Sequence, residues 1–184
     1  MNNLKHPLTG FSEDEQIEYL CVMASLMAAD AHITDEELTR LREFCETLGI
    51  SGLGIGRILS AAEDSSVIDF PAVFGRIART DLRFALFADL IFMAYADGML
   101  APPELSEIHV IAARLGISPH QMKAISRYVA GVFAEQSGNP PRADWRAESA
   151  NALTDAGVPL SVMAIAGAAA AKPSRSARIL GLRW

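Results

Sequence analysis

Two pairs of carboxylates are the residues best placed to do chemistry. Asp30 is followed seven positions later by Glu37, and Asp97 seven positions later by Glu104. In each pair the Asp falls where one helical pattern stops and the Glu falls in the first turn of the next, so both acids face one interhelical corner. Oxygen donors held that way suit a divalent cation: calcium, magnesium, manganese or zinc. Asp89 lies eight residues before Asp97, about two helical turns below it, and is a fifth candidate ligand. The segment Asp97-Gly98-Met99-Leu100-Ala101-Pro102-Pro103-Glu104 matches the second half of an EF-hand loop. The first half is missing. Its leading carboxylate positions would be Met93 and Tyr95, or Leu26 and Ala28 in the first pair, so ligand count excludes an EF-hand calcium loop.

The same acids also read as helix caps. Thr34-x-x-Glu37 is a capping box, in which the Glu reaches back to the N-cap for about 1 kcal/mol and is favoured by the helix dipole. Asp30 can bond free N–H groups at the start of the next helix, and Gly98 can supply a positive φ. Glu104 differs: Ala101 precedes Pro102 where Ser or Thr would be needed, so it lacks the reciprocal half of a box. Asp89 interrupts the apolar run Phe84 to Tyr95 and is expected either on a solvated stripe or paired with Arg79 or Arg83. His32, His109 and His120 are isolated. His32 stands beside the first corner and could join its ligands, whereas His109 reads as an exposed helix position.

The elements that must position these acids are helices. Ile17, Leu20, Cys21, Ala24, Met27 and Ala28 recur at helical spacing, as do Leu38, Leu41, Phe44, Cys45 and Leu48, and no long stretch alternates with period two. Ser12-x-x-Glu15 and Thr34-x-x-Glu37 mark starts, and Gly49 marks a left-handed stop. A third helix is placed at about 52–62, a fourth after Asp69 and a fifth after Thr80. The sixth begins at Pro102 and ends at Gly116, and the seventh restarts at Ser118-Pro119. The order repeats at an offset of 67 residues: ADAHITDEELTRLREFCETLGIS at 29–51 answers ADGMLAPPELSEIHVIAARLGIS at 96–118. The expected fold is all-α, a bundle of about seven helices built from two pseudo-symmetric hairpins, with a C-terminal helical extension.

Ala29-Asp30-Ala31-His32-Ile33 with Glu37, and Ala96-Asp97-Gly98-Met99-Leu100 with Glu104, resemble the paired signatures of the tellurite-resistance TerB family. That family's fold also serves as the N-terminal domain of membrane-anchored DnaJ-like co-chaperones. The resemblance covers about 12–134. It implies seven or so helices, a non-enzymatic role in stress-related or membrane-associated assemblies, and a divalent-cation site at the acidic residues. Ala31 stands where Gly is usual, which leaves the second corner the better candidate.

Other chemistry finds little support. There is no Gly-x-Ser-x-Gly elbow, no Gly-rich phosphate loop ending in Lys-Ser/Thr and no His-Glu-x-x-His, so an enzyme is not expected; a carboxylate-dependent metalloenzyme is the least favoured alternative. Gly52-Leu-Gly-Ile-Gly56 follows a helix and not a strand, and reads as a mobile interhelical turn and not a dinucleotide loop. Cys21 and Cys45 fall inside apolar patterns and read as core thiols. The chain of 184 residues is 51% apolar and 7% aromatic, a globular composition. Its formal charge of −6 is uneven, with −9 over residues 1–70 and +4 after Asp155. An acidic front is ill suited to phosphate backbones, which argues against nucleic acid. The N-terminus lacks the order of a secretory signal, so a cytoplasmic location is expected.

The expected organisation is an arm at 1–11, the helical domain at 12–134, a linker at 135–143 rich in Gly and Pro, a helical extension at 144–171 and a basic tail at 172–184. Asp144 is expected to cap the helix that carries Trp145 and Leu153, which ends near Gly157. The apolar stretch 158–171 is too short for a membrane span and reads as a small-residue helix. The tail joins Lys172, Arg175, Arg178 and Arg183 to Ile179, Leu180, Leu182 and Trp184. Docking to a protein partner is expected there, with peripheral membrane contact or a homo-oligomer as alternatives.

Overall fold

The computed structural model describes residues 6–28, 34–96, 102–138 and 141–164. Every regular element among them is helical: α1 (Glu13–Ala28), α2 (Asp35–Leu48), α3 (Gly52–Glu63), α4 (Phe70–Ile77), α5 (Leu82–Ala96), α6 (Pro102–Arg114), α7 (Pro119–Gln136), α8 (Trp145–Asp155) and α9 (Leu160–Met163). Short 3-10 turns occupy Pro7–Gly10 and Ser65–Val67. The all-α expectation holds: α1 to α7 make the seven-helix body, and α8 and α9 follow it.

Local polar chemistry sets most of the helix starts. Ser12 Oγ accepts from the Glu15 amide at 3.4 Å while Glu15 Oε2 accepts from the Ser12 amide at 2.8 Å. Asp69 Oδ1 accepts from the Ala72 amide at 3.1 Å, and Ser118 forms a capping box with Gln121 behind Pro119. Asp144 departs from expectation. It sits at the N-cap of α8 but makes no side-chain cap bond, because its backbone (φ −93°, ψ 3°) is not in the extended region from which a cap side chain reaches the next turn.

The third helix stands where it was expected, at Gly52–Glu63, and this corrects the reading of its Gly-rich start as a mobile turn. Gly52-Leu-Gly-Ile-Gly56 is the first turn of α3 and not a turn between helices, and Ser51 Oγ caps it by accepting from the Gly54 amide at 3.2 Å. A Cβ on Gly54 would lie 2.6 Å from Ile17 Cδ1 and 2.7 Å from Ile50 Cγ2. The glycine therefore lets the α3 backbone rest directly on α1, the most intimate helix pair in the described structure.

The stop of α2 recurs at the end of α6. Gly49 (φ 80°) and Gly116 (φ 64°) are left-handed, and the amides of Ile50 and Ile117 return to Cys45 O at 3.1 Å and Ala112 O at 2.8 Å. In both, the following Ser starts the next helix, α3 or α7. An L side chain in this conformation is strained by about 1 kcal/mol or more, so Gly49→Ala and Gly116→Ala are each expected to lose about that much stability in urea melts. Melts unchanged from wild type would show that the joints do not need left-handed backbone.

Helix α5 forms the centre. Leu82 and every residue from Phe84 to Phe92 are at most 3% exposed, so the helix is covered all round over 84–92. Helices α1, α6, α7 and α9 pack on it. Trp145 of α8 seats on Gly131 of α7, where a built Cβ would be 2.3 Å from the indole. Leu153, Val158, Val162 and Met163 join the same core as α5, so the extension folds onto the body.

Candidate functional site

Of the two expected acidic corners, the described residues include the helix starts that carry Glu37 and Glu104. At the first, Thr34 is the N-cap of α2, and Glu37 is the third helical residue. Glu37 Oε2 accepts from the Thr34 amide and hydroxyl, each at 2.9 Å, and the Glu37 amide donates to Thr34 Oγ1 at 3.3 Å. These bonds hold the Glu37 carboxyl below its ordinary pKa. The expected capping box is thus formed in full, and its carboxylate is engaged. Asp30 and His32 lie outside the described residues.

At the second corner Glu104 is the third residue of α6, the same helical position that Glu37 holds in α2. Asp97 and the connection to Pro102 lie outside the described residues. Among the described residues no three of His, Cys, Asp and Glu converge.

Asp89 is a correction. It is neither on a solvated stripe nor salt-bridged to Arg79 or Arg83: it is fully buried on α5 and accepts a short hydrogen bond from the Tyr19 hydroxyl of α1. The physical reason is α5's central position, which leaves no face for a solvated stripe. Arg83 instead donates to Ala78 O at 3.0 Å and lies over the Phe84 ring at 4.5 Å. Burial first, and then the charge and hydrogen bond of Asp89, push the Tyr19 phenol well above its ordinary range. Asp89 sits seven residues before the end of α5, about 10 Å along the axis from that end.

The remaining candidates match their expected surroundings. Cys21 and Cys45 are buried free thiols, each pushed up to about 11 by desolvation, so neither is a thiolate at neutral pH. His109 is exposed on α6. Among the described residues no helix is long and apolar enough to cross a membrane. Sequence reasoning missed Tyr19, whose partner is 70 residues away and leaves no local signal.

This fold defines a small helical module with Glu37 and Glu104 in the first turns of α2 and α6. Residues 11–127 match the family described as tellurite resistance protein TerB, and the chain belongs to that family. It is also similar to the co-chaperone protein DjlA of Photobacterium profundum, 28% identical over 146 residues, covering 69% of this chain and 52% of that protein. The chain thus spans about half the length of this curated relative. No solved structure matches significantly.

Proposed function

We propose that this TerB-family chain works without catalysis, as a stress- or tellurite-resistance-associated module or scaffold that holds a divalent cation at Asp97 and Glu104 and recruits a protein partner through its C-terminal extension and tail. The family match over 11–127 carries this reading, because it spans both acidic corners. The 67-residue recurrence of the glycine joint supports treating the body as a duplicated unit, with corresponding corners. The second corner is favoured for the cation, since Thr34 already engages Glu37 while Glu104 has no Ser or Thr at the equivalent position. The cation is a hard ion held by carboxylates, its shell completed by backbone carbonyls or water. The module works in the cytoplasm, with the basic tail available for contact at a membrane surface.

One observation favours a second reading. The Thr34–Glu37 box is complete, which gives an acid at this position a full role as a cap and fits a purely structural adaptor with no metal. Calorimetric titration with calcium, magnesium, manganese and zinc separates the two. Binding heat is expected in wild type and is expected to vanish in Asp97→Asn/Glu104→Gln; silence from wild type with all four ions refutes the cation and leaves the adaptor. Deletion of 172–184 tests the tail, and undiminished partner recovery would refute docking through it.

A further inference from the structure

The chain has two cysteines, and the fold buries both of them as free thiols at one joint. Ile17 and Cys21 stand one turn apart on the same face of α1. Ile17 Cδ1 and Ile50 Cγ2 lie 2.6 and 2.7 Å from the single point where a Cβ on Gly54 would sit, so these two side chains converge over the start of α3. The Ile50 amide in turn donates to Cys45 O at 3.1 Å. The end of α2 that carries Cys45 is thereby held toward the face of α1 that carries Cys21. The two thiols sense each other: after desolvation, the charge of Cys21 is the largest influence raising Cys45.

Their surroundings decide what chemistry the pair can do. Cys45 is fully buried, while Cys21 is 6% exposed and lines a trough of about 650 Å³ between α1, α3 and α4. Both thiols are protonated at neutral pH, so nucleophilic attack and thiol oxidation, which need the thiolate, are disfavoured. A soft metal ion is different, because it binds thiolate sulfur strongly enough to displace the proton. Among the described residues no third His, Cys, Asp or Glu joins the pair, which leaves too few ligands for the tetrahedral shell of structural zinc. Two thiolates do suffice for a linear d¹⁰ ion such as Hg(II). Their charges cancel that of the ion, so the complex is neutral and suits an apolar core.

We propose that Cys21 and Cys45 form a two-coordinate site for a soft, thiophilic divalent cation that bridges α1 to α2. On binding, both S–H bonds break, two metal–sulfur bonds form and two protons leave for solvent, with no change of oxidation state. The ion enters from the trough at Cys21, the thiol with an exposed edge. Neither acidic corner takes part, since carboxylate oxygens suit a hard cation.

The test mixes the reduced full chain with one equivalent of Hg(II) chloride, passes it over a thiol resin and weighs it under non-denaturing conditions. One ion per chain is expected to be retained. The melting temperature is expected to rise by roughly 5 °C or more, because the folded chain presents the two sulfurs together and the unfolded chain does not. Cys21→Ala and Cys45→Ala are each expected to lose both the ion and the rise, whereas Asp97→Asn/Glu104→Gln is expected to keep both. Cys21 lies at the edge of the core, so Cys21→Ala decides the matter even where Cys45→Ala fails to fold. An ion retained by either single-cysteine variant, two ions per wild-type chain, or none, would overturn the proposal. So would a melting temperature that stays or falls on binding, because any chain with two thiols would then do as well, and so would loss of the ion in the acidic-corner variant.

Discussion

Gly131→Val is expected to lower the melting temperature by roughly 5 °C or more, from about 2 kcal/mol of overpacking where Trp145 presses on α7. The indole is 8% exposed and lies 2.3 Å from where the first added carbon would sit, so neither helix can keep its place. Emptying the seat from the other side has a larger effect: Trp145→Ala is expected to lose about 3–5 kcal/mol. The two sites should couple. Gly131→Ala made in a Trp145→Leu background should be milder than in wild type by about 1 kcal/mol, since the smaller side chain leaves room. Other links between α7 and α8 contribute little. Arg127–Glu148 and Arg146–Glu135 are surface ion pairs, with side chains between 40% and 67% exposed. Thermal melts and Trp145 fluorescence, read in a Trp184→Phe background, check this. Unchanged melting of Gly131→Val would mean that α8 does not dock on α7 as described.

The second large effect concerns the buried pair on α1 and α5. Tyr19→Phe removes a hydrogen bond to a fully buried carboxylate and is expected to lose about 2 kcal/mol at neutral pH. It should also change the response to alkali. The Tyr19 pKa is higher in the folded chain than its ordinary value of 10.0, so its contribution is complete below about pH 10 and is lost as pH rises toward the folded value. Unfolding free energy of wild type should therefore fall above pH 10, and the wild-type advantage over Tyr19→Phe should shrink with it. Cys21, Cys45 and Tyr128, whose pKa values are also raised, act on the same limb in both proteins and drop out of the difference. A constant difference between the two proteins from pH 7 to pH 11 would refute this account.

Helix boundaries were legible in the sequence wherever a cap is local. Ser12 with Glu15, Thr34 with Glu37, Ser118 with Pro119, and the stops at Gly49, Gly116 and Gly157 each act within one turn, so short spacings reveal them. What a side chain meets across the fold was not legible. Asp89 breaks an apolar run whether it faces water or a tyrosine, and only the packing of α1 against α5 tells which. Glycine is a weak helix former by propensity, yet at Gly54 and Gly131 the side chains of Ile17 and Trp145 fill the space that a Cβ would need. For the candidate site, spacing placed Glu37 and Glu104 at equivalent helical positions and gave the Thr34–Glu37 box, and only the second bond, from the Thr34 hydroxyl, required atomic geometry.

The closure of α5 by α9 has a consequence for biosynthesis. The ribosome releases Phe92 about 70 residues before Met163, and at roughly 5–20 residues per second the bare flank of the central helix waits several seconds for its cover. During that interval the nascent chain exposes its most apolar helix to the crowded interior of the cell. A release or cleavage event ahead of Leu160 would make that exposure permanent, so shortened forms of this chain are expected to be recovered as aggregates or bound to chaperones.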